Sequence, residues 1–119
     1  MRKTLKKSLK LKINMTPEKL YEILDRYAKS KGLELNKDKN FVFELLKGLL
    51  KNEERYGYRS CPCRLASGDK QRDADIICPC VYSIEDIKEY GKCYCGLYVT
   101  KEYNQGEIKE RIVPERRKN

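Results

Sequence analysis

The chain has no histidine, no tryptophan and only two phenylalanines among its 119 residues. Nor does it contain a single Cys-x-x-Cys pair, although it has six cysteines. Without histidine there are no Cys/His zinc fingers, no imidazole-assisted nucleophiles and no Rieske-type centres. Without Cys-x-x-Cys there is no zinc-ribbon knuckle, thioredoxin-type active site or bacterial ferredoxin run. No apolar run approaches the roughly 18 residues that would span a bilayer. Residues Met1–Lys12 are basic but lack the apolar segment and small-residue cleavage site of a secretory signal. The expectation is a cytoplasmic protein with no membrane partner. In a reducing compartment, clustered cysteines are more often ligands or catalytic thiols than structural disulfides.

Charge is abundant: 27 Lys and Arg against 18 Asp and Glu give a formal +9, and mean hydropathy is −0.81. The length fits one domain, 1–119, with a modest core and no internal linker. A bound cluster would act as a staple for such a core. The positive charge favours an acidic partner, protein or nucleic acid. Nine scattered tyrosines form no recognisable base-stacking platform, which disfavours nucleic acid.

The first 15 residues carry six Lys or Arg and no acid. Leu9, Leu11, Ile13 and Met15 alternate with polar neighbours, the period of a short strand or extended arm. Thr16-Pro17-Glu18 is a helix start, with Leu20, Ile23, Leu24, Tyr27 and Ala28 on one face and Gly32 as the stop. A second helix is expected over Lys37–Lys51, burying Phe41, Leu45, Leu46, Leu49 and Leu50. These two amphipathic helices are scaffold. A brief helix over Asp73–Ile77, another capped by Ser83 and ended at Gly91, and a β-rich Gly96–Tyr103 follow. Pro114–Asn119 reads as a charged surface segment. The fold class expected is mainly α, short helices around a cluster.

The cysteines form three Cys-x-Cys pairs: Cys61-Pro62-Cys63, Cys78-Pro79-Cys80 and Cys93-Tyr94-Cys95. A cubane iron–sulfur cluster takes four thiolates, one per iron. Four from six leaves two thiols, the number a disulfide-exchange centre needs. The central prolines restrict the backbone of two pairs, so one sulfur can face a metal while its neighbour points elsewhere. A four-cysteine zinc site with two spare thiols would use the same residues, as would three disulfides in an oxidising compartment.

At Cys61-Pro62-Cys63-Arg64, Cys78-Pro79-Cys80 and Cys93-Tyr94-Cys95 the sequence resembles the catalytic (β) subunit of ferredoxin:thioredoxin reductase. The likeness is strong from Tyr56 to Cys95, the cluster and disulfide region, and weaker at Pro114-Glu115-Arg116-Arg117. It implies a small, mostly helical domain in which Cys61, Cys78, Cys80 and Cys93 ligate a [4Fe-4S] cluster. It also implies that Cys63 and Cys95 form the redox-active disulfide, Cys63 attacking the target and Cys95 lying against the cluster. Arg64 and Lys70 are candidates to lower the Cys63 pKa.

One residue departs from the family, which commonly has histidine where this chain has Tyr94. A phenol, with pKa about 10, donates a hydrogen bond but is a poor proton shuttle. Asp73 and Asp75 are therefore alternative proton carriers. Tyr56, Tyr58 and Tyr82 are expected to shield the cluster. The implied partners are a ferredoxin-like donor, a thioredoxin- or glutaredoxin-like protein substrate and, as in plant-type enzymes, a non-catalytic subunit. Two other functions use the same residues: a zinc-stabilised nucleic-acid-binding module and a pure electron-transfer iron–sulfur protein.

Overall fold

Thr16-Pro17-Glu18 does start a helix. A computed structural model of the chain describes residues 15–118, and in it α1 runs Pro17–Ser30. The Thr16 hydroxyl accepts from the Lys19 N–H at 3.2 Å, and Pro17 sits where no intrahelical donor is required. Leu20, Leu24 and Ala28 form the buried line. Ile23 falls off it and is 44% exposed. Gly32, at φ 72°, ends the helix, and the Leu33 N–H returns to the Ala28 carbonyl at 2.8 Å. The strand or arm expected over residues 1–15 lies, Met15 apart, outside the described residues.

After β1 (Glu34–Leu35), α2 runs Lys39–Tyr56 with Asp38 as its side-chain N-cap. It outruns the expected Lys51 because Lys51–Arg55 contains no helix breaker; the stop is Gly57, at φ 87°. Val42, Leu45, Leu46 and Leu49 face inward, and Leu50 is partly buried against them. Phe41, expected in the core, is instead 40% exposed. Its ring lies over Gly96, where a Cβ would come within 3.3 Å of it.

The expected brief helix near Asp73 is a single 3-10 turn, Ala74–Ile76. Next comes α3, Ser83–Tyr90, ended by Gly91 at φ 80°. Ser83 is its first residue and not its cap; its hydroxyl donates to the Cys80 carbonyl at 2.7 Å. Strand character in Gly96–Tyr103 shrinks to β2, Tyr98–Val99, antiparallel to β1 with Glu34 opposite Val99 and Leu35 opposite Tyr98. Thr100 then caps a single-turn α4, Lys101–Asn104, by accepting from the Tyr103 N–H. The architecture is mostly helical, as the pattern predicted. No helix among the described residues is long and apolar enough to cross a membrane.

One cluster of buried side chains joins α1, α2, β1, α3 and β2, and it includes Cys93. Leu20, Leu46 and Leu49 are fully buried, each worth about 1.5–3 kcal/mol over an exposed position. The core thus runs directly into the cysteine region. Helix α2 also abuts the first cysteine pair: a Cβ on Gly48 would sit 2.8 Å from Pro62 Cβ. Gly48→Ala gains about 1 kcal/mol of helix propensity and loses about 1–3 kcal/mol to overpacking against a rigid ring. The expected outcome is net destabilisation, read as a lower urea midpoint with an unchanged slope.

Candidate functional site

Three stretches of backbone deliver the cysteines. The first two pairs are tied by an antiparallel bridge between Ser60 and Ile77. Across it the Cys61 N–H bonds the Ile76 carbonyl and the Cys78 N–H the Arg59 carbonyl, both at 2.8 Å. The third pair lies on a turn closed by Gly96 N–H to Cys93 carbonyl at 2.9 Å, with Gly96 at φ 81°. Asn36 supports that turn, its side chain donating to the Gly96 carbonyl at 3.0 Å.

Five of the six cysteines, Cys61, Cys78, Cys80, Cys93 and Cys95, line one cavity with Arg64, Tyr94 and Tyr98. It is small, about 10 Å³, which is room for roughly one water. Cys63 is outside it and exposed. Cys95 sits among the other sulfurs of this cavity. Its sulfur lies 3.8 Å from that of Cys93. Cys95 and Tyr94 also line a second, open cavity of about 310 Å³ beside Asn36, Phe41, Lys92 and Glu110. One thiol therefore separates an inner sulfur-lined space from an outer groove.

As free thiols these groups share protons. Cys61 is held well below the usual thiol range, first by hydrogen bonds from Cys63 and Cys95. Cys95 is pushed well above it by donating to Cys61, Cys63 and Cys93. Cys63 is raised, chiefly by its bond to Cys61, so the expected lowering by Arg64 is not found. Arg64 points elsewhere: Nη1 donates to the Cys80 sulfur at 3.4 Å, while Nε and Nη2 donate to Glu115 at 2.6 and 2.7 Å.

The donor chemistry fits a thiolate-bound group. No carboxylate lines the inner cavity, and soft sulfur ligands suit iron–sulfur clusters and zinc. Two N–H groups already donate to sulfur, Arg64 to Cys80 and the Tyr98 backbone to Cys93 at 3.3 Å. The Tyr98 hydroxyl, buried in the cavity wall, has no partner of its own. Among the described residues, no three His, Cys, Asp or Glu side chains gather tightly enough for a single metal ion. Around a cubane each thiolate binds a different iron, so its ligands stand further apart. Cys61, Cys78, Cys80, Cys93 and Cys95 line the cavity, so four of these five could hold such a cluster.

Other expectations change. Tyr58 lies away from the cavity and donates to Asp73 at 2.5 Å; Tyr82 donates to Asp75 at 2.6 Å. Tyr94 and Tyr98 are the tyrosines that line the sulfurs, and Tyr98 carried no signal beyond its β-rich surroundings. Of the segment expected over Pro114–Asn119, the described residues 114–118 are more than a loose surface stretch. Arg116 pairs with fully buried Asp86, and Arg117 with Asp73 and Asp75.

Neither Asp73 nor Asp75 lines the inner cysteine cavity, and both carboxyls are held below their usual range. Burial pushes the Asp73 carboxyl up, but donors from Tyr58, Ser67 and Arg117 outweigh it and hold it at about 2. Asp75 is likewise lowered, burial being outweighed by Tyr82 and Arg117. Both stay ionised at neutral pH. Because the Asp73 pKa is depressed on folding, its contribution is complete above the unfolded value, 3.8, and disappears as pH falls towards 2. Asp73→Asn should therefore lower the melting temperature at pH 7 and flatten its fall between pH 4 and 2. An unaltered acid profile in a calorimetric pH series would contradict this.

Comparisons with known proteins agree with the geometry. A profile of the family described as ferredoxin thioredoxin reductase catalytic beta chain matches residues 11–118. The ferredoxin-thioredoxin reductase catalytic chain of Guillardia theta is 31% identical over 80 residues, covering 66% of this chain and 74% of that protein. That of Porphyra purpurea is 29% identical over 86 residues, covering 70% and 69%. That of Pyropia yezoensis is 29% identical over 86 residues, covering 70% of each. With a match spanning both helices and all three cysteine pairs, the chain belongs to the ferredoxin thioredoxin reductase catalytic beta chain family of oxidoreductases.

Proposed function

We propose that the protein is an iron–sulfur disulfide reductase. It takes single electrons from a ferredoxin-type donor and reduces the disulfide of a thioredoxin- or glutaredoxin-like protein. Cys61, Cys78, Cys80 and Cys93 would hold a [4Fe-4S] cluster, and Cys63 and Cys95 would form the exchangeable disulfide. The observation that carries this reading is the position of Cys95. It lines the inner cavity with the would-be ligands, its sulfur 3.8 Å from that of Cys93, and it also faces the open groove.

When bound, the cluster supplies electrons one at a time to a bond that needs two. The protein's residues handle the rest. Once the Cys63–Cys95 bond is opened, the Cys63 thiolate attacks one sulfur of the target disulfide and expels the other as a thiolate. The resulting mixed disulfide joins Cys63 to the target. After the second electron arrives, the Cys95 thiolate attacks Cys63, releases the target as a dithiol and restores the Cys63–Cys95 bond. Two electrons and two protons are consumed per target disulfide. Tyr94 takes the place of the family histidine beside Cys95 in the cavity wall. The wall of the inner cavity is mostly apolar and sulfur atoms.

The formal +9 charge suits an acidic donor protein, and a reducing compartment such as the cytoplasm suits the free thiols. A non-catalytic subunit remains an optional partner on this reading. Anaerobically purified protein should be brown, with broad visible absorption and about four irons per chain. Ser at Cys61, Cys78, Cys80 or Cys93 should lose or damage the chromophore. Cys63→Ser and Cys95→Ser should keep it and lose disulfide reduction. A colourless, zinc-loaded protein with salt-sensitive nucleic-acid affinity would overturn the proposal.

A further inference from the structure

The segment after Val113 forms a strap across the cysteine region. Val113 is buried, and the following charged residues each grip a different partner. Arg116 reaches Glu85, Asp86 and Glu89 on α3; Arg117 reaches Asp73 and Asp75 by the 3-10 turn. Glu115 takes Arg64, the residue that follows the first cysteine pair.

Arg64 is the most confined cation of the three, its side chain only 2% exposed. Its guanidinium lies over the Tyr94 ring at 4.3 Å and the Tyr82 ring at 5.2 Å. Two of its nitrogens are committed to the Glu115 carboxylate and the third faces Cys80 Sγ. A guanidinium is a rigid planar fork, so holding two N–H directions fixes the rest. A buried cation stripped of its counter-charge is strongly disfavoured and reorients towards water.

We infer that Glu115 is a positioning residue: its bidentate grip on Arg64 aims Nη1 at the Cys80 sulfur and so raises the reduction potential of the cluster that Cys80 ligates. The inference rests on the cluster reading above. Hydrogen bonds to the sulfurs and nearby charge are levers on cluster potential, and a cationic donor favours the more negative, reduced state. The sign separates two roles for Glu115. Acting only through its own negative charge, it would depress the potential, and deleting it would raise the potential. Acting by aiming Arg64, its loss lowers the potential.

The test is a spectroelectrochemical titration of iron-loaded protein, comparing the intact chain with Glu115→Ala, Arg64→Ala, Arg64→Lys and the double alanine variant. Glu115→Ala should shift the midpoint negative by up to about tenfold in the one-electron equilibrium, which is 59 mV. Arg64→Ala should shift it the same way at least as far, and the double variant no further. Arg64→Lys keeps the charge but not the fork, and should fail to restore the native value. If Glu115→Ala retains too little iron, Glu115→Gln, which keeps the shape and one acceptor, should shift in the same direction by less. An unmoved or positive shift, or additive single effects, would overturn the inference. Iron absent from the unsubstituted protein would overturn the cluster reading instead.

Discussion

Sulfur atoms from three separate stretches of chain have to meet at one point, and that constraint organises the rest of the structure. Two stretches are short Cys-Pro-Cys loops with little secondary structure of their own. They are held by the single Ser60–Ile77 bridge and its two backbone hydrogen bonds. The third is a turn that needs Gly96 in the left-handed region and the Asn36 side chain beneath it. The helices supply the burial that these loops lack. Pro62 rests on Gly48 of α2, Phe41 covers Gly96, and Cys93 belongs to the main hydrophobic cluster. A small core can hold such loops because it lends them apolar contacts on one side and leaves the sulfurs facing one another on the other.

Three charged side chains are buried in the fold. Asp73 and Asp86 are fully buried and Arg64 nearly so. Each would be costly alone, since an unpaired charge out of water loses its hydration without recompense. All three are met by the C-terminal strap, through Arg117, Arg116 and Glu115 respectively. The same contacts that fasten the chain end thus set the direction of the Arg64 guanidinium. Stability and the electrostatics of Cys80 are coupled through residues distant in sequence.

The division of labour among the cysteines follows from accessibility as much as from spacing. Cys63 is exposed, whereas Cys95 lies between the inner cavity and the outer groove. Such an arrangement suits a thiol that meets a protein substrate and a partner thiol that stays inside. Tyr94 lines both spaces with Cys95 and lies under Arg64.

The sequence by itself determined the two amphipathic helices, the mainly helical class and the cysteine set, because these depend on local periodicity and spacing. Thr16-Pro17 and Gly32 are local start and stop signals, and the three Cys-x-Cys pairs are a spacing visible in the linear chain. Tertiary structure alone decided the rest. Ser83 looks like a cap, yet packing turned it towards Cys80, while Thr100, in a stretch that reads as β-rich, caps α4. Arg64 was visible beside Cys63, yet its direction was set by Glu115, 51 residues away. The charges of Glu115, Arg116 and Arg117 read as solvated surface because their partners, Arg64, Asp86 and Asp73, are buried only after folding. Long-range pairing between buried charges has no period and no fixed spacing, so it is written in the folded chain and not in the linear one.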